Sequence, residues 1–130
     1  MNPTLKLLIP LVIYPFDVLV MMGYSDEETR HELHENQSEE DVDGAMLKEA
    51  TTLGKTVEFD GCVIYLRLTE IPSSPSMYGS LQHEIFHATT FILHRIGMKL
   101  KIGVSDEAYA YLVGYLTEKI YEEIDKKKTL

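Results

Sequence analysis

Two apolar runs open the chain. Residues 7–14 and 16–22 carry Val12, Ile13, Tyr14, Phe16, Val18 and Val20, a β-branched and aromatic content that fits buried strands. Pro10 and Pro15 punctuate them, so they read as one long kinked strand or two short ones. Gly23 ends the run. Ser25-Asp26-Glu27-Glu28 then forms a capping box, in which the Ser25 hydroxyl and Glu28 carboxylate satisfy free amides at a helix start. The pattern predicts a polar helix over residues 26–35, with His31 and His34 as solvated surface residues. Residues 36–43 are acidic and almost without apolar positions, which predicts a loop or mobile connector.

Strand character returns at residues 50–57, followed by a turn near Phe59-Asp60-Gly61 and a second strand over residues 62–68. A loop covers residues 70–76, in which Ser74 as N-cap precedes Pro75 at the first helical position. The next helix is predicted from about residue 76 to residue 96, stopping at Gly97. Within it Leu81, Ile85, Ala88, Ile92 and Ile96 recur at three- and four-residue steps and mark a core-facing stripe. A last helix opens with Ser105 as N-cap and runs to about residue 125. Residues 108–116 carry no charge, which predicts burial nearly all round. There is no internal repeat and no composition break, so residues 1–130 read as one α+β domain.

Composition narrows the function. Twelve basic against twenty-one acidic side chains give a formal charge of −9. That argues against nucleic acid as partner, because phosphate binding needs clustered Lys and Arg. By the same reasoning an anionic membrane surface is not expected, and Lys126-Lys127-Lys128 reads as a solvated tail. The single cysteine, Cys62, excludes an internal disulfide, and its place in Cys62-Val63-Ile64-Tyr65-Leu66 suggests a buried, inert thiol. Residues 1–22 faintly resemble a signal peptide, but Pro10, Pro15 and Asp17 interrupt the stretch and no small-x-small site follows. The expected location is the cytoplasm, either a host cytoplasm or a virion if the chain is phage-encoded.

The chemistry is concentrated in His83-Glu84-Ile85-Phe86-His87. Residues four apart on a helix project from one face, so two imidazoles so placed can converge on one zinc ion at about 2.0–2.1 Å. Glu84 points about 100° round from His83, beside the metal without being a ligand. There a carboxylate can take the proton of an attacking water and pass it to a leaving amine.

A zinc site also needs a third protein ligand and an open position. His94, seven residues beyond His87, stands roughly 10 Å along the axis, too far to share the metal. The extended pattern HExxHxxGxxH would need Gly and His where this chain has Thr90 and Leu93. Glu107, at the opening of the last helix, remains: an antiparallel return would bring it beside the middle of the preceding helix. Its bland alternative is a carboxylate placed to favour the helix N-terminus, as Asp106 also does. For an oxyanion, Tyr78, Tyr109, Tyr111 and Tyr115 each offer a phenol, although aromatics at helical spacing are more often core.

HEIFH followed by Asp106-Glu107-Ala108-Tyr109-Ala110-Tyr111-Leu112 resembles the gluzincin branch of the zincin metallopeptidases, in its minimal versions, and small HExxH proteins of phages and mobile elements. The resemblance covers about residues 80–116. It implies a zincin-like fold with a small twisted sheet, an active-site helix and a following glutamate helix. It also implies His83, His87 and Glu107 as zinc ligands and Glu84 as general base. Larger gluzincins carry an aspartate four residues after the ligand glutamate, where this chain has Tyr111. The expected activity is zinc-dependent hydrolysis of a peptide or protein substrate, with the strand over residues 62–68 bordering the cleft. Two other classes stand beside it: an inactive zinc-binding protein with a structural or binding role, and a regulatory protease of the ImmA/IrrE type.

Overall fold

The two proline-punctuated runs form two separate strands. A computed structural model describes residues 3–48 and 52–129. In it β1 (Leu5–Pro10) pairs antiparallel with β2 (Asp17–Met22) across a turn closed by the Leu11 amide donating to the Phe16 carbonyl at 3.0 Å. After β2 come two helices, α1 (Asp26–Leu33) and α2 (Glu39–Gly44). A hairpin follows, β3 (Gly54–Phe59) with β4 (Val63–Leu68), and then the long helices α3 (Pro75–Arg95) and α4 (Asp106–Lys128). β4 inserts parallel to β2, which gives a mixed sheet of order β1-β2-β4-β3. The fold is α+β, as the pattern predicts.

The alternation of side chains along the two central strands explains the layering. Val18, Val20, Met22, Ile64, Leu66 and Leu68 face α3 and α4, where they meet Leu81, Ile85, Ala88, Ile92, Leu112, Leu116 and Ile120. Leu19, Met21 and Tyr65 face the other way, onto Leu33, Val42, Ala45 and Met46 of the α1–α2 layer. β2 and β4 are thus covered on both sides. Tyr65 stacks on Phe59 there, and burial pushes its phenol pKa up.

Arg67 also lies on that second face and is almost fully buried on a central strand. Its guanidinium donates to the Asp26 carboxylate at 2.5 Å, to the Ala45 carbonyl at 3.0 Å and to the Tyr24 carbonyl at 2.8 Å. Asp26 in turn accepts from the Leu47 and Lys48 amides. Burial acts to raise the Asp26 pKa, but these hydrogen bonds and the Arg67 charge outweigh it and hold the carboxyl below its usual range.

Several expectations need correction. Val12 and Ile13 are not part of a buried strand but lie exposed in the β1–β2 turn, and Ile96, past the end of α3, is exposed and outside the core stripe. Residues 36–43 are not a connector throughout: Ser38 caps α2 by accepting from the Asp41 amide at 3.1 Å, and Val42 closes the second layer. Residues 108–116 are not buried all round, because a four-stranded sheet leaves the outer face of α4 uncovered and Tyr111 is 76% exposed. Cys62 is exposed at the tip of the β3–β4 turn with φ +61, since the turn extends one residue past Gly61. β4 is an interior strand, and the edge beside α3 belongs to β3. The expected strand start at residue 50 lies outside the described residues, and β3 begins at Gly54. No helix among the described residues is long and apolar enough to cross a membrane.

Candidate metal centre

α3 is built to carry its polar residues at fixed angles. The Ser74 hydroxyl accepts from the Met77 amide, Pro75 occupies the first turn, and the chain leaves the helix at Gly97 with φ +85. The apolar stripe through Leu81, Ile85, Ala88 and Ile92 lies on the sheet. With that stripe buried, the 100° step per residue turns His83 and His87 outward and Glu84 sideways toward β3.

His83 and His87 are exposed and meet at their ring tips. Their Nε2 atoms are 3.1 Å apart, with ring centroids 4.7 Å apart in an edge-on arrangement. Two ligand atoms at zinc distances subtending a tetrahedral angle stand about 3.3–3.4 Å apart. The pair fits one zinc ion with a change of a few tenths of an ångström.

Glu84 is only 8% exposed. Its Oε1 accepts a 2.7 Å hydrogen bond from the Thr56 hydroxyl, which also approaches the Glu84 carbonyl at 3.2 Å. This tie leaves Oε2 for a second partner. Gly54, two residues earlier on the same edge strand, makes the approach possible. A Cβ there would stand 2.7 Å from Leu68 Cδ2 and 3.1 Å from both Glu84 Cγ and the Arg67 carbonyl oxygen. His83 and Glu84 line one open cavity of about 500 Å³ together with Leu53, Gly54, Ser76, Gly79 and Ser80.

Glu107 does not join them. Among the described residues no group of three or more His, Cys, Asp or Glu side chains is arranged to hold a metal ion. The reason is the register of the antiparallel pair. Gln82 donates to the Thr117 hydroxyl at 3.1 Å and the Tyr121 hydroxyl at 3.2 Å, so this part of α4 stands level with the histidines. Glu107 lies ten residues before Thr117, roughly 15 Å further along the axis and past His87. The connection between the helices is short, and the Tyr109 hydroxyl pins the start of α4 to the Met98 carbonyl at 2.7 Å. Glu107 therefore stands beside the end of α3, exposed in the first turn of α4.

The other candidates separate cleanly. His94 is exposed on the last turn of α3. Tyr109 is buried, and Tyr78 packs on Tyr121 and accepts from Lys128 at 2.9 Å. Tyr111 and Tyr115 line a different cavity, against Leu11–Tyr14. None of the four is among the residues lining the His83–Glu84 cavity. Thr56 escaped the reading of the sequence because its contact spans 28 positions. Gly54 was the available signal, since a glycine at a strand marks a close approach.

Comparison with protein-family models, with curated proteins and with solved structures found no match to this chain.

Proposed function

We propose that the chain is a zincin-like metallohydrolase acting on peptide bonds, with His83 and His87 as zinc ligands and Glu84 as general base. The observation that carries this reading is the pair of convergent imidazoles, one of which, His83, shares the wall of an open cavity with a buried, hydrogen-bonded carboxylate. A solvated HExxH sequence with no chemical role would not need a threonine and a glycine on a neighbouring strand to fix its glutamate.

Zinc held by the two Nε2 atoms would supply a Lewis acid that polarises a carbonyl and acidifies a water molecule. The chain's own part is positioning. Thr56 fixes Oε1 of Glu84, so Oε2 is the atom that takes the proton from the attacking water and returns it to the departing amine. β3 borders the cavity through Gly54 and presents its outer edge there, where an extended peptide can pair with its backbone. Substrate would enter from solvent above the exposed histidines.

Glu107 as third ligand requires α4 to slide along α3, so the test includes it. Purified wild type is loaded with zinc, dialysed, and assayed for metal content and for cleavage of a mixed peptide library. One zinc per chain with cleavage supports the proposal. Bound zinc without cleavage leaves a structural or binding role, and a folded protein that takes up no supplied zinc refutes the metal assignment. A strong loss of zinc affinity in Glu107→Gln keeps Glu107 in the set. Unchanged affinity restricts the protein ligands to the two histidines.

A further inference from the structure

The register of α3 and α4 leaves the zinc proposed above with two ligands from one chain. Zinc takes four, and among the described residues no third His, Cys, Asp or Glu is grouped with the pair. His94 is on the same helix but stands roughly 10 Å along the axis. The remaining positions are open to water or to a second molecule, and the face around the pair favours one molecule in particular.

Two copies of a chain with a net charge of −9 repel each other. The histidine face of α3 is a place where that repulsion is weak. Of the 21 residues of the helix only Glu84 and Arg95 are charged. Glu84 is buried against Thr56, and Arg95, eight residues beyond His87, is paired with Glu58 at 2.6 Å. Gly79, one turn before His83, leaves the approach open, since a Cβ there would meet nothing within 4 Å. Phe86, 46% exposed, flanks the histidines on the side away from Glu84 and puts an apolar surface beside them. The ligands also suit a symmetric partner. Their Nε2 atoms, 3.1 Å apart, span one edge of a coordination tetrahedron. A tetrahedron has a twofold axis through the midpoints of opposite edges. A second copy turned about that axis fills the opposite edge with the same two residues, which is the isologous contact of a C2 dimer.

We propose that, when zinc is scarcer than chain, His83 and His87 of two copies share one ion and close the site as a resting dimer. The inference rests on the two zinc ligands assigned above and concerns how that same site is regulated. Four imidazoles leave no position for a water molecule or a substrate carbonyl, as in structural zinc sites. With zinc in excess, mass action favours one ion per chain, and the open positions that hydrolysis needs are restored. The supply of zinc thus sets the balance between a closed pair and an open single chain.

The test is sedimentation velocity of the full chain, stripped with a chelator and titrated with zinc, with bound metal measured in each species. The dimer is expected to peak near half an equivalent, to carry one zinc per two chains, and to give way to monomer as zinc goes into excess. His83→Ala with His87→Ala should stay monomeric at every ratio, while His31→Ala with His34→Ala should dimerise like the wild type. Phe86→Glu changes an exposed side chain and brings like charges together across the contact. It should weaken the dimer by about tenfold and keep the zinc that each chain binds alone. Zinc bound to a chain that stays monomeric at every ratio overturns the inference and leaves the ligand assignment standing. A folded chain that takes up no zinc overturns both. A dimer that forms without zinc, or that survives the loss of His83 and His87, is a different interface and also overturns the inference. The readout needs no turnover, so a zinc-linked dimer of a chain that cleaves nothing supports the inference while the hydrolase reading fails.

Discussion

Histidines pair at the end of α1 and in the middle of α3, and the two pairs are used in opposite ways. His31 on the last turn of α1 and His34 at its C-cap are three apart. Their rings lie 5.6 Å apart, and Nδ1 of His34 is tied to the His31 carbonyl at 2.6 Å. On α3 the spacing is four, and the two Nε2 atoms face each other at 3.1 Å. The carboxylates divide in the same way. Asp26 of α1 is consumed by structure, its two oxygens taken by Arg67 and two loop amides, while Glu28 caps the Ser25 amide through one oxygen and stands exposed in solvent. Glu84 of α3 is held through one oxygen and keeps the other. Histidine and carboxylate content alone therefore does not mark a site. What marks it is a buried carboxylate with one oxygen free, next to two imidazole nitrogens that face each other.

The comparison breaks most sharply on metal. His83→Ala or His87→Ala should abolish zinc uptake, measured by metal analysis after dialysis, while the double variant His31→Ala with His34→Ala should retain the wild-type stoichiometry. Equal losses from both pairs would erase the distinction. The next effect is on turnover. Glu84→Gln should keep the zinc and the fold yet lower peptide hydrolysis by about 10²–10⁴, whereas Glu28→Gln should leave turnover alone.

Stability should respond in reverse. Asp26→Asn should cost about 2 kcal/mol in urea unfolding, because it weakens the charged partner of a buried arginine, while Glu84→Gln should shift the midpoint far less. The pH dependence has a fixed sign. The Asp26 pKa is lowered on folding, chiefly by Arg67 against the opposing effect of burial. Its contribution is therefore present above the usual carboxylate range and lost as pH falls through the lowered folded value. A pH series of urea midpoints should show that acid-side loss in the wild type and a shallower one in Asp26→Asn. The smallest expected effect is His94→Ala, which should leave zinc affinity within about twofold, since it stands roughly 10 Å along the axis from His87.

Much of this was legible in the sequence where the cause is local. The capping box at Ser25, the Ser74-Pro75 start of α3, the Gly97 stop and the four-residue histidine spacing each depend on a few neighbouring residues. α2 was not legible, because its contribution to the core is Val42 followed by Ala45 and Met46, too few positions to show a period in an acidic stretch. The uncovered face of α4 was not legible either, since an uncharged run records the absence of charge and not the presence of a neighbour. Glu107 illustrates the same limit. Its distance from the histidines is set by how the α3–α4 connection folds on Ser105, which spacing alone does not encode.

The parallel seam between β2 and β4 bears on how the chain reaches this state. Each strand has a close antiparallel partner across a short turn, so the two hairpins can form from local encounters. The seam joins Asp17 to Val63, about 45 positions apart, and cannot close until α1, α2 and β3 have been drawn in. Loop-closure entropy of that size precedes any reward from the central pairing. Refolding should accordingly be limited by the docking of one hairpin on the other. Substitutions at Val18, Val20, Ile64 or Leu66 should slow that step, and so should destabilising changes within either turn, because both hairpins are already formed when they dock.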